Sequence, residues 1–146
     1  MRSVAARVTR TRTELTVAYV VEGDLARLQC GTPLWQHTCL ELFIGQHGSR
    51  AYDEYNFSLA GDWAAHAFAD YRQRVARDVP RPTVKFGPTG QLEARVAAQG
   101  KLRVGLSAVI EEEGGALSYW ALRHAPGKPD FHHADAFALE LDEDRH

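Results

Sequence analysis

The stretch Leu34-Trp35-Gln36-His37-Thr38-Cys39-Leu40-Glu41-Leu42-Phe43-Ile44 carries an alternation that suits an extended chain. Leu34, Leu40, Leu42 and Ile44 share one parity, and Trp35, His37, Cys39, Glu41 and Phe43 the other. Successive side chains of a strand point to opposite faces, so one side of this segment is aliphatic enough for a core. The other side offers an indole, an imidazole, a thiol and a carboxylate, a mixture unusual for an interior. Working outward, the same period of two recurs at Leu15, Val17, Tyr19 and Val21, broken by Glu22-Gly23-Asp24, and again at Leu102, Val104, Leu106, Ala108 and Ile110. Gly114-Gly115 then separates that run from Leu117-Ser118-Tyr119-Trp120-Ala121-Leu122, a hairpin signature. Phe137, Leu139 and Leu141 form a last strand, and Asp78 to Gly90 is a loop and edge region punctuated by Pro80, Pro82 and Pro88. Short strands with regular turns and no βα alternation predict an all-β antiparallel sandwich or barrel.

From Asp62 to Arg77 two periods compete. Ala64, Ala67, Phe68, Tyr71 and Val75 fall at helical spacing behind Asp62 as an N-cap, and alanine is the best helix former. With a period of two, the same residues put His66 and Phe68 on one side and Trp63, Ala65 and Ala67 on the other. Local propensity favours the helix, and tertiary context can override it.

A chain of 146 residues fits one domain, taken here as residues 1–146, and its 45% hydrophobic and 25% charged content is that of a globular protein. A formal charge of −2 and a pI near 6.4 give no excess of cations for a nucleic-acid backbone or an anionic membrane, so neither partner is expected. The first thirteen residues hold four arginines and no apolar run, which makes neither a secretory signal nor a span and gives a cytoplasmic expectation. In that setting Cys30 and Cys39 read as reduced, structural residues.

The Leu34 to Ile44 stretch, Tyr55-Asn56-Phe57-Ser58, Gly61-Asp62-Trp63, Ser118 to Leu122 and Pro126-Gly127-Lys128-Pro129-Asp130-Phe131-His132 together resemble the DOMON-like proteins related to family 9 carbohydrate-binding modules. The resemblance spans nearly the whole chain. It implies a jelly-roll β-sandwich with a curved sheet as ligand platform, and it implies that Trp63 to Ala69 is a strand. In the sugar-binding relatives a strand running from a tryptophan to an acid, followed by an asparagine ahead of a glycine, lines the site; here those positions look like Trp35, Glu41, Asn56 and Gly61. The relatives commonly carry acidic residues just before the glutamate strand, where this chain has Gln36, His37 and Thr38, and this weakens the case for calcium.

Sugar recognition needs flat rings against C–H faces and planar polar groups for hydroxyls. Trp35, Trp63, Trp120 and Tyr71 are candidates for the first, and His37, Glu41, Asn56, Arg72 and His132 for the second. The expectation is a non-catalytic module for a carbohydrate or sugar-like ligand, with no catalytic residue, no metal and no cofactor. A second reading makes the chain a haem- or metal-binding redox or enzymatic domain using His37, His132 or His133, a haem being an idea that the resemblance brings. Methionine ligation is nearly excluded because Met1 is the only methionine. A third makes the aromatic face a protein-interaction surface. His37, Cys39 and Glu41 form a row reminiscent of nucleophilic catalysis, but same-face neighbours on a strand stand about 7 Å apart and no oxyanion turn accompanies them.

Overall fold

The computed structural model describes residues 3–23, 25, 28, 30, 37–87, 89–121, 130–132 and 136–142. They form eleven strands, β1 (Ser3–Arg10), β2 (Glu14–Glu22), β3 (Cys39–Gln46), β4 (Tyr52–Phe57), β5 (Trp63–Asp70), β6 (Gln73–Val75), β7 (Thr83–Phe86), β8 (Gln91–Ala97), β9 (Leu102–Glu111), β10 (Leu117–Ala121) and β11 (Leu139–Leu141). A four-stranded sheet has the order β1-β2-β8-β7, and a seven-stranded sheet the order β10-β9-β3-β4-β5-β6, with β11 on the same edge of β9 as β10. Every pairing is antiparallel. The architecture is the expected all-β sandwich, and among the described residues no helix is long and apolar enough to cross a membrane.

Alternation sets which way each strand faces. Leu15, Val17, Tyr19 and Val21 of β2 and Leu92, Ala94 and Val96 of β8 are buried in register, Leu15 opposite Val96 and Tyr19 opposite Leu92. They pack against Leu40, Leu42 and Ile44 of β3, Tyr55 and Phe57 of β4, and the even-numbered residues Leu102 to Ile110 of β9. Tyr19 reaches across this interior and its hydroxyl donates to the Glu41 carbonyl at 2.9 Å, so a buried polar tip is satisfied where the two sheets meet. Tyr55 and Phe57 stack almost parallel, 6.1 Å apart.

The segment with two competing periods is the strand β5. It pairs along Tyr52–Phe57 on one side and with β6 on the other, so its backbone groups find sheet partners that outweigh alanine's helical preference. Val4 and Val8 of β1 pack on the core, while Ala5, Ala6 and Arg7 lie exposed on this edge strand, which explains why the arginine-rich start gave no strand signal. β7, within the proline-rich stretch, is the opposite edge.

The seven-stranded sheet is also covered on its outer face. Cys39, Phe43, Tyr52, Phe68, Val109, Phe131 and Phe137 form a second buried cluster there. Gly105 permits this cover: a Cβ on it would lie 3.0 Å from the Ala136 carbonyl oxygen. β3 is therefore buried on both sides, with only Gln46 exposed.

Truncating the sandwich interior is expected to be far more damaging than truncating its rim. Phe57→Ala should lower unfolding free energy in denaturant titrations by about 3–5 kcal/mol. Leu117→Ala, on half-exposed β10, should change it by no more than about 0.5 kcal/mol.

Candidate ligand-binding site

Strand register lines up the polar residues of the outer face. One row runs Ser107, Glu41, Asn56, Ala64 across β9, β3, β4 and β5, and the next runs Gly105, Phe43, Glu54, His66. Glu41 and Glu54 are thus diagonal neighbours on adjacent strands, within the reach of long side chains. Both are 4% exposed and line a cavity of about 350 Å³ together with His66, Phe68, Arg72, Arg74, Val109, Tyr119, Phe131 and His132. That volume lies within the range of small-molecule sites.

Burial pushes the Glu41 carboxyl well above the usual carboxylate range, and the charge of Glu54 adds to the shift. Burial raises Glu54 too, but Asn56, Arg74 and Arg72 pull it back. Both carboxyls stay above the usual range and interact with each other, so burial favours a pair that holds a proton between them. The Cys39 thiol, 3.7 Å from Glu41 Oε1, is raised by burial and by Glu41, which keeps it protonated and a poor nucleophile.

A relay anchors Glu54 from its other side. The Arg72 backbone N–H donates to the Tyr52 hydroxyl at 3.1 Å, and the Tyr52 hydroxyl lies 2.8 Å from His132 Nδ1. The Glu54 carboxyl, 3.6 Å from His132 Nε2, favours the tautomer with its proton on Nε2, in which Nδ1 accepts from the Tyr52 hydroxyl. Burial, with Arg72 nearby, lowers His132 to about 4, so the imidazole is neutral at physiological pH. Arg72 has a left-handed backbone (φ 52°) in the turn between β5 and β6, and its side chain pairs with Asp130 at 2.9 Å, which also accepts from the Tyr71 hydroxyl. Asp130 would be raised by burial, but those partners and the His132 N–H hold it below the usual range. His66, lowered by burial and by Arg74, accepts a hydrogen bond from that guanidinium.

Of the residues singled out from sequence, Glu41, Arg72 and His132 line this cavity; Asn56 stands beside Glu41, and Tyr71 joins through Asp130. Trp35 and His133 lie outside the described residues. His37 sits at the start of β3 with Nδ1 3.0 Å from Glu111, while Thr38 exchanges hydrogen bonds with the Glu111 backbone, so this corner ties two strand ends together. Trp63 and Trp120 pack on the sandwich core, on the face of the sheet opposite Glu41. Trp120 registers with inward-facing Ala108 and its Nε1 donates to Ser118 Oγ, while Trp63 lies beneath the Arg81 guanidinium. Trp63 and Trp120 thus face away from this cavity, and Tyr119 and Phe68 are among the rings that line it. Among the described residues no three His, Cys, Asp or Glu side chains cluster as metal ligands.

Glu54, Arg74 and Tyr119 are cavity residues that the sequence reading does not pick out. The signal for Glu54 was present: in Tyr52-Asp53-Glu54-Tyr55-Asn56-Phe57 it shares parity with Asn56, opposite Tyr55 and Phe57.

The fold is shared with solved β-sandwiches of carbohydrate-binding type. A protein from Bacteroides uniformis, provisionally described as carbohydrate-binding, superposes with a TM-score of 0.63 at 14% identity over 95% of this chain and 77% of its own. A family 9 carbohydrate-binding module from Caldicellulosiruptor kristjanssonii, determined in complex with glucose, gives 0.64 at 13% identity over 100% of this chain and 80% of its own. The sequence matches no family model and no curated protein.

The two buried groups make opposite contributions to stability against pH. Glu41, raised in the folded state, contributes stability that is complete below the unfolded value of 4.5 and is lost as pH rises through its folded value. His132, lowered in the folded state, contributes stability that is complete above 6.5 and is lost as pH falls toward 4. Glu41→Gln, which has no proton to release, is therefore expected to gain thermal stability relative to the parent as pH is raised from about 5 to about 8. A melting-temperature difference that stays flat across that range contradicts the burial of an acidic Glu41.

Proposed function

We propose that this chain is a carbohydrate-binding module whose ligand rests on the outer face of the seven-stranded sheet, above Glu41 and Glu54. The observation that carries the reading is the cavity of about 350 Å³ over that face, where the Glu41 and Glu54 carboxyls meet the Arg72 and Arg74 side chains and the rings of Phe68, Tyr119 and His132.

Sugar hydroxyls both donate and accept, so they complement a lining of carboxyl, guanidinium and imidazole groups. Tyr119, 43% exposed at the rim, and Phe68 offer ring surface for sugar C–H groups. The shared fold with a module determined with glucose supports the same class of ligand. The DOMON-like kinship read from Trp35 to His132 belongs to this proposal as well.

Saturation-transfer NMR and calorimetry with a panel of neutral mono- and oligosaccharides test it. Binding by at least one is expected, and Tyr119→Ala should weaken that binding about tenfold, about 1.4 kcal/mol, without lowering the melting temperature. Silence across the panel, or a Tyr119→Ala variant that binds like the parent, overturns this placement of the ligand.

A further inference from the structure

We propose that Glu41 and Glu54, side by side on the cavity floor, act as an acid and a base that interconvert the α and β anomers of a reducing sugar. This rests on the reading of the outer face as a sugar site and goes beyond holding the ligand. The chemistry needs one group to give a proton and one to take a proton, both facing the same carbon. The ring oxygen and the anomeric hydroxyl of a cyclic sugar are bonded to that one carbon, so the two catalytic groups must stand close together.

Diagonal neighbours on adjacent strands provide that closeness. Their surroundings give them different roles. Glu41 lies between Cys39 on its own strand and Glu54 on the next, with no cation among the groups that shift it, and burial favours its protonated form. Glu54 faces Arg72, Arg74 and the Nε2 of a neutral His132, which favour its carboxylate. Two carboxyls driven apart by environment are how one site comes to hold an acid and a base at the same pH.

The step balances without any co-reactant. Glu54 takes the proton of the anomeric hydroxyl while Glu41 gives its proton to the ring oxygen. The bond from the anomeric carbon to the ring oxygen breaks, and a carbonyl forms at that carbon. Rotation about the adjacent carbon–carbon bond presents the other face of the carbonyl. The ring oxygen then attacks it, returns its proton to Glu41, and the new anomeric oxygen takes one back from Glu54. His132 touches neither oxygen in this scheme and acts as a positioning residue, fixed by Tyr52 and the Arg72 backbone.

Freshly dissolved α-D-glucose, α-D-galactose and α-D-xylose are the probes, with approach to anomeric equilibrium followed by polarimetry and one-dimensional NMR, and with binding measured in parallel. The intact protein is expected to accelerate at least one sugar, with saturation in sugar concentration and a bell-shaped pH profile. Exposed carboxylates and imidazoles catalyse the reaction weakly, so the reference is the Glu41→Gln/Glu54→Gln double variant. Each single variant, Glu41→Gln or Glu54→Gln, is expected to lose about a hundredfold in rate at saturating sugar, the usual contribution of a positioned acid or base. A parent protein that binds sugar yet matches the double variant in rate overturns the catalytic inference and leaves the binding reading standing. A single variant with the parent's rate overturns it too, and absence of binding to any probe removes both.

Discussion

A strand buried on both faces is the constraint on which the rest of this structure depends. Leu40, Leu42 and Ile44 place one side of β3 in the sandwich interior, and Cys39, Glu41 and Phe43 place the other under the segment that carries Phe131 and Phe137. The inward side is satisfied by apolar packing against β2, β8 and β9. The outward side is mixed, so it forces a carboxyl into a poorly hydrated place, and a buried charge is tolerated only when neutralised or paired. The shifted acidity of Glu41, the neutral His132, the relay through Tyr52 and the Arg72–Asp130 pair all follow from that placement.

The two faces divide the labour of the molecule. The interior between the sheets is aromatic and aliphatic, with the Tyr19 hydroxyl satisfied by a carbonyl, and it provides a rigid backing. The outer face carries polar groups in register, and register holds them more firmly than loops would, because each is fixed by neighbours on two strands. The turn holding Arg72 and the segment holding Asp130 and His132 bond to each other beside the cavity, so its wall comes from residues distant in sequence.

Much of the fold was legible because period-two patterns are local. The alternation of β2 and β9 and the glycine pair ahead of β10 each announced themselves. The strand β5 was legible only through the family resemblance, since its alanines fit a helix equally well and pairing with β4 decided the matter. β1 was hidden by its exposed arginine and alanines, as edge strands often are. For the site, the family resemblance pointed to Glu41 and Asn56, but which face of a strand meets the core is a tertiary fact. Trp63 and Trp120 were selected by residue type, and type says nothing of direction. Their cross-strand partners Phe57 and Ala108 face inward, and so do they. Glu54 and His132 acquire their character from each other and from Arg72 and Arg74, a juxtaposition that exists only after β4, β5 and β6 have paired.

Backbone amide mapping by heteronuclear NMR during titration with a bound sugar tests the central claim most directly. Shift changes are expected at residues 39–43 and 52–56 and at His132 and Tyr119, where β3 and β4 present their outer face to the cavity. Changes confined to the four-stranded sheet, around Thr16, Val20 or Arg95, would contradict the assignment of the ligand to the outer face.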